Sequence, residues 1–244
     1  MAAELHGDPP PIPNGVPVRV YSMEYCPFAH KVRLALSVKG VPFDVINCNL
    51  KRKPKFLVDA NPDGSVPVLL HDEKVLYESE AIVEYVDEAF RGAVRLFPKD
   101  PAERAGARIM IINYSNKVVS ALTSCVRKQT DETFANLNEQ LEKFVENPLK
   151  KLGTPYFGGE QVNAVDVCLW PHLERIDAAT SVGGFPPLPA DRLPLLLAYI
   201  ARMKETAGIK ELVHPPEDHT HVRQSAIAGD TDYNYRSKYP IYAA

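Results

Sequence analysis

The chain has 244 residues, 45% of them hydrophobic and 24% charged, enough to bury one large core or two modest ones. A formal net charge of −3 leaves no electrostatic footprint for nucleic acid, and no apolar stretch reaches the roughly 18–20 residues that a membrane helix needs. The four cysteines, Cys26, Cys48, Cys125 and Cys168, stand far apart with no CxxC or zinc spacing, so no metal is expected; residues 1–17 lack the basic start and apolar run of a secretion signal, which predicts a cytoplasmic protein with reduced thiols.

Residues 8–17 hold five prolines and predict an extended arm over residues 1–17. A β-like run follows at 18–23, then a helical pattern at 28–39 that Gly40 ends. Residues 43–50 read as a second strand, and 66–72 with 74–78 as a hairpin. A helix beginning near Ser79 sets Ile82, Tyr85, Val86 and Ala89 on one face. Strand–helix–strand favours a parallel pair with a right-handed crossover, and the late hairpin adds antiparallel edges. This α/β region spans 18–97, and a proline-marked linker occupies 98–106. Over 107–215 only helical periods occur, with stripes at Ile111, Tyr114, Val118, Leu122 and Cys125, at Phe134, Leu137, Leu141, Phe144 and Val145, and at Leu193, Leu196, Leu197, Ile200 and Met203. Residues 216–244 form a polar tail with scattered tyrosines.

The stretch "YSMEYCPFAHKVRLAL" (21–36) places a cysteine between strand and helix. Pro27 suits the first helical position, where its missing N–H costs nothing, so Cys26 falls at the N-cap. Unpaired first-turn N–H groups and the positive end of the helix dipole there favour thiolate over thiol, and a thiolate is the nucleophile of disulfide exchange. Ser, Thr or Asp would cap better, so capping alone does not explain a cysteine. Glu24, the one acid within two positions, is expected to point elsewhere. Ala29 stands where a dithiol enzyme carries its second cysteine, so Cys26 needs an external thiol to resolve a mixed disulfide, and glutathione is the obvious cytosolic supply. Cys125 and Cys168 read as core. Cys48, on a strand, is compatible with either face.

The segments "CPFAHKVRLALSVKG", "NLKRKPKFLVDANPDGSVPVLL" and "LYESEAIVEYVDEAF", and again "YFGGEQVNAVDVCLWPHLER" (156–175), resemble the cytosolic glutathione transferases of the omega class. The resemblance implies a thioredoxin-like α/β domain followed by an all-α domain, usually in a homodimer. It also implies glutathione-dependent thiol transfer and dehydroascorbate reduction rather than strong conjugation. Cys26 matches the catalytic cysteine. Val66-Pro67 matches a cis peptide whose Val66 backbone pairs with the cysteinyl unit of glutathione. Glu78 and Ser79 match the residues that hold the γ-glutamyl amino and carboxylate groups, and Ser79 by itself reads as an N-cap. Lys53 matches a glutathione-contacting lysine, with Lys51, Arg52 and Lys55 as near substitutes. Phe28 packs beside the sulfur, or into the core. Arg175 aligns with an arginine of the second-substrate pocket; on its own it reads as a surface charge. Asn163 and Asp166 form a capping box, and Pro171 should bend the helix that follows. His172 stands where family members often carry an aromatic ring, and the match fades after about residue 205, so the second substrate is the least constrained feature. Two other readings share the fold: a chloride-intracellular-channel relative, whose inserting segment would fall at 24–46 across five charged residues, and a glutathione-binding protein without turnover. Conjugation by the hydroxyl of Tyr21 or Ser22 is made redundant by Cys26.

Overall fold

The computed structural model describes residues 4–92 and 94–244, which form two compact units: residues 4–94 with 224–244, and residues 95–223. In the first, β1 (Glu4–Leu5) is followed by β2 (Val18–Ser22), α1 (Pro27–Val38), β3 (Phe43–Cys48), α2 (Lys55–Ala60), β4 (Val68–His71), β5 (Lys74–Tyr77) and α3 (Ser79–Ala89). β2 and β3 pair in parallel across the α1 crossover, and β4 and β5 form the antiparallel hairpin. Gly40, at φ +65°, closes α1 as its position in the sequence leads one to expect. The segment between β3 and β4 carries α2, whose Phe56 and Leu57 are buried.

The full sheet order is β1-β6-β3-β2-β4-β5, where β6 is Ile241–Tyr242. The polar tail therefore ends as a strand inside the sheet, parallel to β3 through Asn47↔Ile241 and Cys48↔Tyr242. Tyr242 lies in a core cluster with Tyr21, Ala29, Phe56 and Val66, and Cys26 packs against that cluster. The proline arm is held by Arg19, which binds Asp44 at 2.5 Å and donates to the carbonyls of Pro10 and Pro11.

α3 buries Ile82, Val83, Val86 and Asp87, while Ala89 is exposed and Tyr85 is half-buried. The buried face is thus turned from the expected stripe. Asp87 is drawn in by the Lys39 ammonium at 2.8 Å, and the Tyr85 hydroxyl lies 2.7 Å from His71.

The second unit is helical. α4 (Pro101–Asn113) is capped by Asp100, which accepts from the N–H groups of Ala102 and Glu103. It runs through a π-helical stretch (Tyr114–Val119) into α5 (Ser120–Lys128). α6 (Asp131–Leu141), a second π-helical stretch (Glu142–Glu146), α7 (Asn147–Leu152), α8 (Ala164–Glu174), α9 (Ile176–Val182) and α10 (Pro194–Glu205) complete it, and α11 (Pro216–Ile227) leads the chain back to the first unit. Most of each stripe read from the sequence is buried, but Phe134, Phe144 and Leu197 are half-buried, and Thr133, Asn138 and Tyr199 are buried beside them. At the start of α8 the capping box is present: Asn163 accepts from Val165 and Asp166, and Asp166 accepts from the Asn163 N–H at 2.8 Å. Asp166 also accepts from Phe157, Gly158 and the Tyr199 hydroxyl, yet burial still pushes its carboxyl up to about 6.

Candidate active site

β2 ends at Ser22 and α1 begins at Pro27, so residues 23–26 make the turn between them. The turn is closed by a hydrogen bond from Cys26 N–H to Met23 C=O at 2.9 Å. Cys26 is the N-cap, with φ −73° and ψ 120°, and Pro27 opens the helix. The sulfur accepts no hydrogen bond from the first-turn N–H groups; its polar contact is the Val66 carbonyl, 4.0 Å away. Sulfur is a weak acceptor, so the cap position does not force the thiol onto the backbone as it would a carboxylate or hydroxyl.

Cys26 is partly exposed, whereas Cys48, Cys125 and Cys168 are buried, and burial pushes the Cys48 thiol up to about 12. Ala29, three residues on, is fully buried. The hydroxyl alternatives lie in the core: the Tyr21 ring packs 4.8 Å from that of Phe56, and Ser22 is fully buried.

Val66-Pro67 is cis and lies just before the β4 ladder, which begins at Val68. Lys53 reaches the loop ahead of Val66: its ammonium donates to Asp63 C=O at 2.9 Å, and its stem lies across Gly64. Gly64 sits at φ +58°, where a side chain is strained, and a Cβ there would press on the Lys53 stem, 2.7 Å from Cδ. Lys51 and Lys55 are instead paired with Asp230 and Asp59. Glu78, not Ser79, is the N-cap of α3; Ser79 is the first helical residue and is buried. Glu78 holds φ +71°, a conformation that costs a side-chain-bearing residue about 1–3 kcal/mol. That kink sets Glu78 and the α3 N-terminus beside each other at the end of β5.

Phe28 is 45% exposed, so it is not core; its ring lies 5.3 Å from the Lys31 ammonium. Lys31 is almost fully buried and reaches Glu80, in the first turn of α3, at 3.2 Å. The Glu24 carboxylate turns into the core, 3.4 Å from Arg33 and 3.1 Å from the Asn47 amide. The burial of Glu24, Lys31, Arg33 and Asn47 escapes sequence reading, because charged and amide residues in a turn, a helix or a strand carry no local mark of burial.

Arg175 belongs to the second unit, between α8 and α9. Its side chain is largely buried, 3.5 Å from Glu174, in a cluster where Glu174 also accepts from the His214 N–H and lies 3.6 Å from His219. It is no surface charge. Among the described residues no helix is long and apolar enough to cross a membrane.

Residues 20–93 match the family model for the glutathione S-transferase N-terminal domain, and residues 81–202 that for the C-terminal domain. The chain is 37% identical over 214 residues to glutathione S-transferase omega-1 of Sus scrofa, covering 86% of each. It is 35% identical to glutathione S-transferase omega-2 of Rattus norvegicus, covering 82% of this chain and 80% of that one. Among solved structures, the tau-class glutathione S-transferase of mango, Mangifera indica, superposes with a TM-score of 0.78 at 26% identity, over 83% of this chain and 95% of the other. An α/β unit with a lone accessible cysteine at its first helix, a helical unit behind it in sequence, and these matches across both converge: the chain belongs to the omega-class glutathione transferases.

Proposed function

We propose that the protein is a glutathione-dependent thiol transferase and dehydroascorbate reductase in which Cys26 is the nucleophile. The observation that carries this reading is the placement of Cys26: a partly exposed helix N-cap, 4.0 Å from Val66 C=O, with Ala29 where a resolving cysteine would stand. Glutathione lies with its cysteinyl backbone along Val66, beside Pro67, and its γ-glutamyl end at Glu78 and Ser79. Lys53 meets a glutathione carboxylate, and Phe28 backs the sulfur. Arg175 lines the second-substrate pocket.

In thiol transfer the Cys26 thiolate attacks the glutathione sulfur of a mixed disulfide. A Cys26–glutathione disulfide forms, and the substrate leaves as thiolate. A second glutathione thiolate attacks the glutathione sulfur of that disulfide. Oxidised glutathione departs, and the Cys26 thiolate returns. With dehydroascorbate the balance is two glutathiones oxidised to one disulfide, and two electrons and two protons delivered to give ascorbate. The protein contributes orientation and a good leaving group, and the scheme needs no metal. A cytoplasmic homodimer fits this reading, since the glutathione pool keeps thiols reduced there.

The test is an activity panel with glutathione and hydroxyethyl disulfide, dehydroascorbate, a phenacyl-glutathione or chlorodinitrobenzene. Activity with the first two is expected to vanish in Cys26→Ala, with at most weak conjugation remaining. Undiminished thiol transfer in that variant overturns the assignment.

A further inference from the structure

The two residues that precede Cys26 are both linked to the C-terminal segment, Tyr25 directly and Glu24 through Asn47. The Tyr25 hydroxyl donates to the Tyr235 carbonyl at 2.9 Å, and Tyr25 is buried. Glu24, 2% exposed, is held on three sides: its carboxylate faces Arg33 Nη1 at 3.4 Å, its carbonyl accepts from Arg33 Nη2 at 2.6 Å, and its second carboxylate oxygen accepts from the Asn47 amide at 3.1 Å. The same Asn47 amide donates to Ser237 Oγ at 3.1 Å, and Ser237 Oγ donates to the Tyr239 carbonyl at 2.8 Å. Beyond Ser237 the chain enters the sheet as β6. There Asn49 N–H donates to Tyr242 C=O at 2.8 Å, and the Tyr242 ring meets Phe56 edge-on at 5.6 Å in the cluster under Cys26.

Residues 23–26 belong to neither β2 nor α1; within the turn, Cys26 N–H donates to Met23 C=O and Tyr25 N–H to Met23 Sδ at 3.1 Å. The side-chain bonds of Glu24 and Tyr25 anchor that turn to the rest of the unit. Two of those routes, one direct from Tyr25 and one from Glu24 through Asn47, end on the segment 235–239, about two hundred residues away in sequence.

We propose that the C-terminal segment holds the Cys26 turn in its reacting position, with Tyr25, Asn47 and Ser237 as positioning residues for the sulfur. This rests on the reading of Cys26 as nucleophile. The residues touch neither sulfur nor glutathione in this account; they act by fixing the backbone from which the sulfur projects. A buried Glu24 two residues from a thiolate would otherwise be a repulsive neighbour, and the Arg33–Asn47 clasp turns its charge inward. Misplacement of a reacting atom by about 1 Å can cost up to ~100-fold in rate, so small looseness in this turn should register in reactivity before it registers in folding.

The experiment uses the full chain as Tyr25→Phe, Ser237→Ala, the double variant and Ser237→Thr. The rate of Cys26 alkylation by iodoacetamide is read by peptide mass spectrometry, and glutathione affinity by calorimetry. Each single loss should slow alkylation by about threefold to tenfold, the worth of one hydrogen bond. The double variant should be slower still, Ser237→Thr should restore the wild-type rate, and glutathione affinity should stay within about twofold because Val66, Glu78 and Ser79 are untouched. Alkylation rates equal to wild type in both single variants overturn the proposal, as does a slowing that is matched by an equal loss of glutathione affinity, which would mark general loosening. Alkylation reads the sulfur and not turnover, so the two claims fail separately. Slowed variants of a wild type that lacks thiol transfer uphold the positioning role and remove the nucleophile reading; unslowed variants of an active wild type do the reverse.

Discussion

The Lys31 ammonium lies 3.2 Å from the Glu80 carboxylate and ties α1, which begins beside Cys26, to α3, which begins at Ser79. The two helix N-termini proposed to hold the thiol and γ-glutamyl ends of glutathione are thereby joined by one ion pair. Its members differ in exposure: Lys31 is almost fully buried, while Glu80 is 42% exposed. Glu80→Gln leaves a buried ammonium facing a neutral amide, whereas Lys31→Met removes the charge and keeps the stem. Urea titration should therefore find Glu80→Gln the more destabilising, by ~1–2 kcal/mol, with Lys31→Met near neutral. Equal losses would mean that the pair contributes by attraction alone.

Only one of the four cysteines is accessible in the described structure. A native-state titration with a thiol reagent should consume one equivalent rapidly, at Cys26, and the remaining three only on denaturation. Cys48 should be especially slow, because burial disfavours its thiolate. Rapid native labelling of Cys48 would show that β6 opens readily from β3.

Glu78 sits at φ +71° with an exposed side chain. Glycine adopts this conformation without the Cβ penalty, so Glu78→Gly should be neutral or stabilising in thermal melts, whereas glycine elsewhere in ordered structure typically costs ~0.5–1 kcal/mol. Glutathione affinity should fall in the same variant. A gain in stability together with lost binding would mark the kink as held for function.

Burial pulls the His219 imidazole below the ordinary histidine range, against the opposing pull of Glu174. The unfolded chain then takes up a proton on acidification that the native protein does not, so this contribution to stability is present above about pH 6.5 and is lost as the pH falls. Between about pH 7 and pH 5, wild-type stability should decline more steeply than that of His219→Gln. Parallel curves would show that His219 is protonated as easily folded as unfolded.

The parts of the fold that were legible are those written locally. Pro27 and Gly40 mark the ends of α1, the β-like runs of residues 18–23 and 43–50 mark the parallel pair, and Asn163 with Asp166 marks the start of α8. What escaped is non-local. β1 and β6 have two residues each and exist only because Leu5, Tyr242 and Cys48 meet across the whole chain. Two residues carry no period, and a polar, tyrosine-bearing stretch gives no sign that it will be inserted into a sheet. The site divides in the same way. Cys26 was visible from its N-cap position. Ser79 was displaced by one residue from the expected cap because Glu78 turns the chain through a positive φ, which sequence does not announce for a glutamate. Arg175 was compatible with a surface, yet its side chain is largely buried beside Glu174.

The most direct measurement is peptide mass spectrometry of the intact protein after exposure to oxidised glutathione. An adduct of about 305 Da, the mass of one glutathionyl group, should appear on the peptide containing Cys26 and disappear with excess reduced glutathione. Cys26→Ala should carry none. An adduct confined to Cys48, Cys125 or Cys168, or a wild-type protein that stays unmodified while transferring thiols at full rate, would contradict the account.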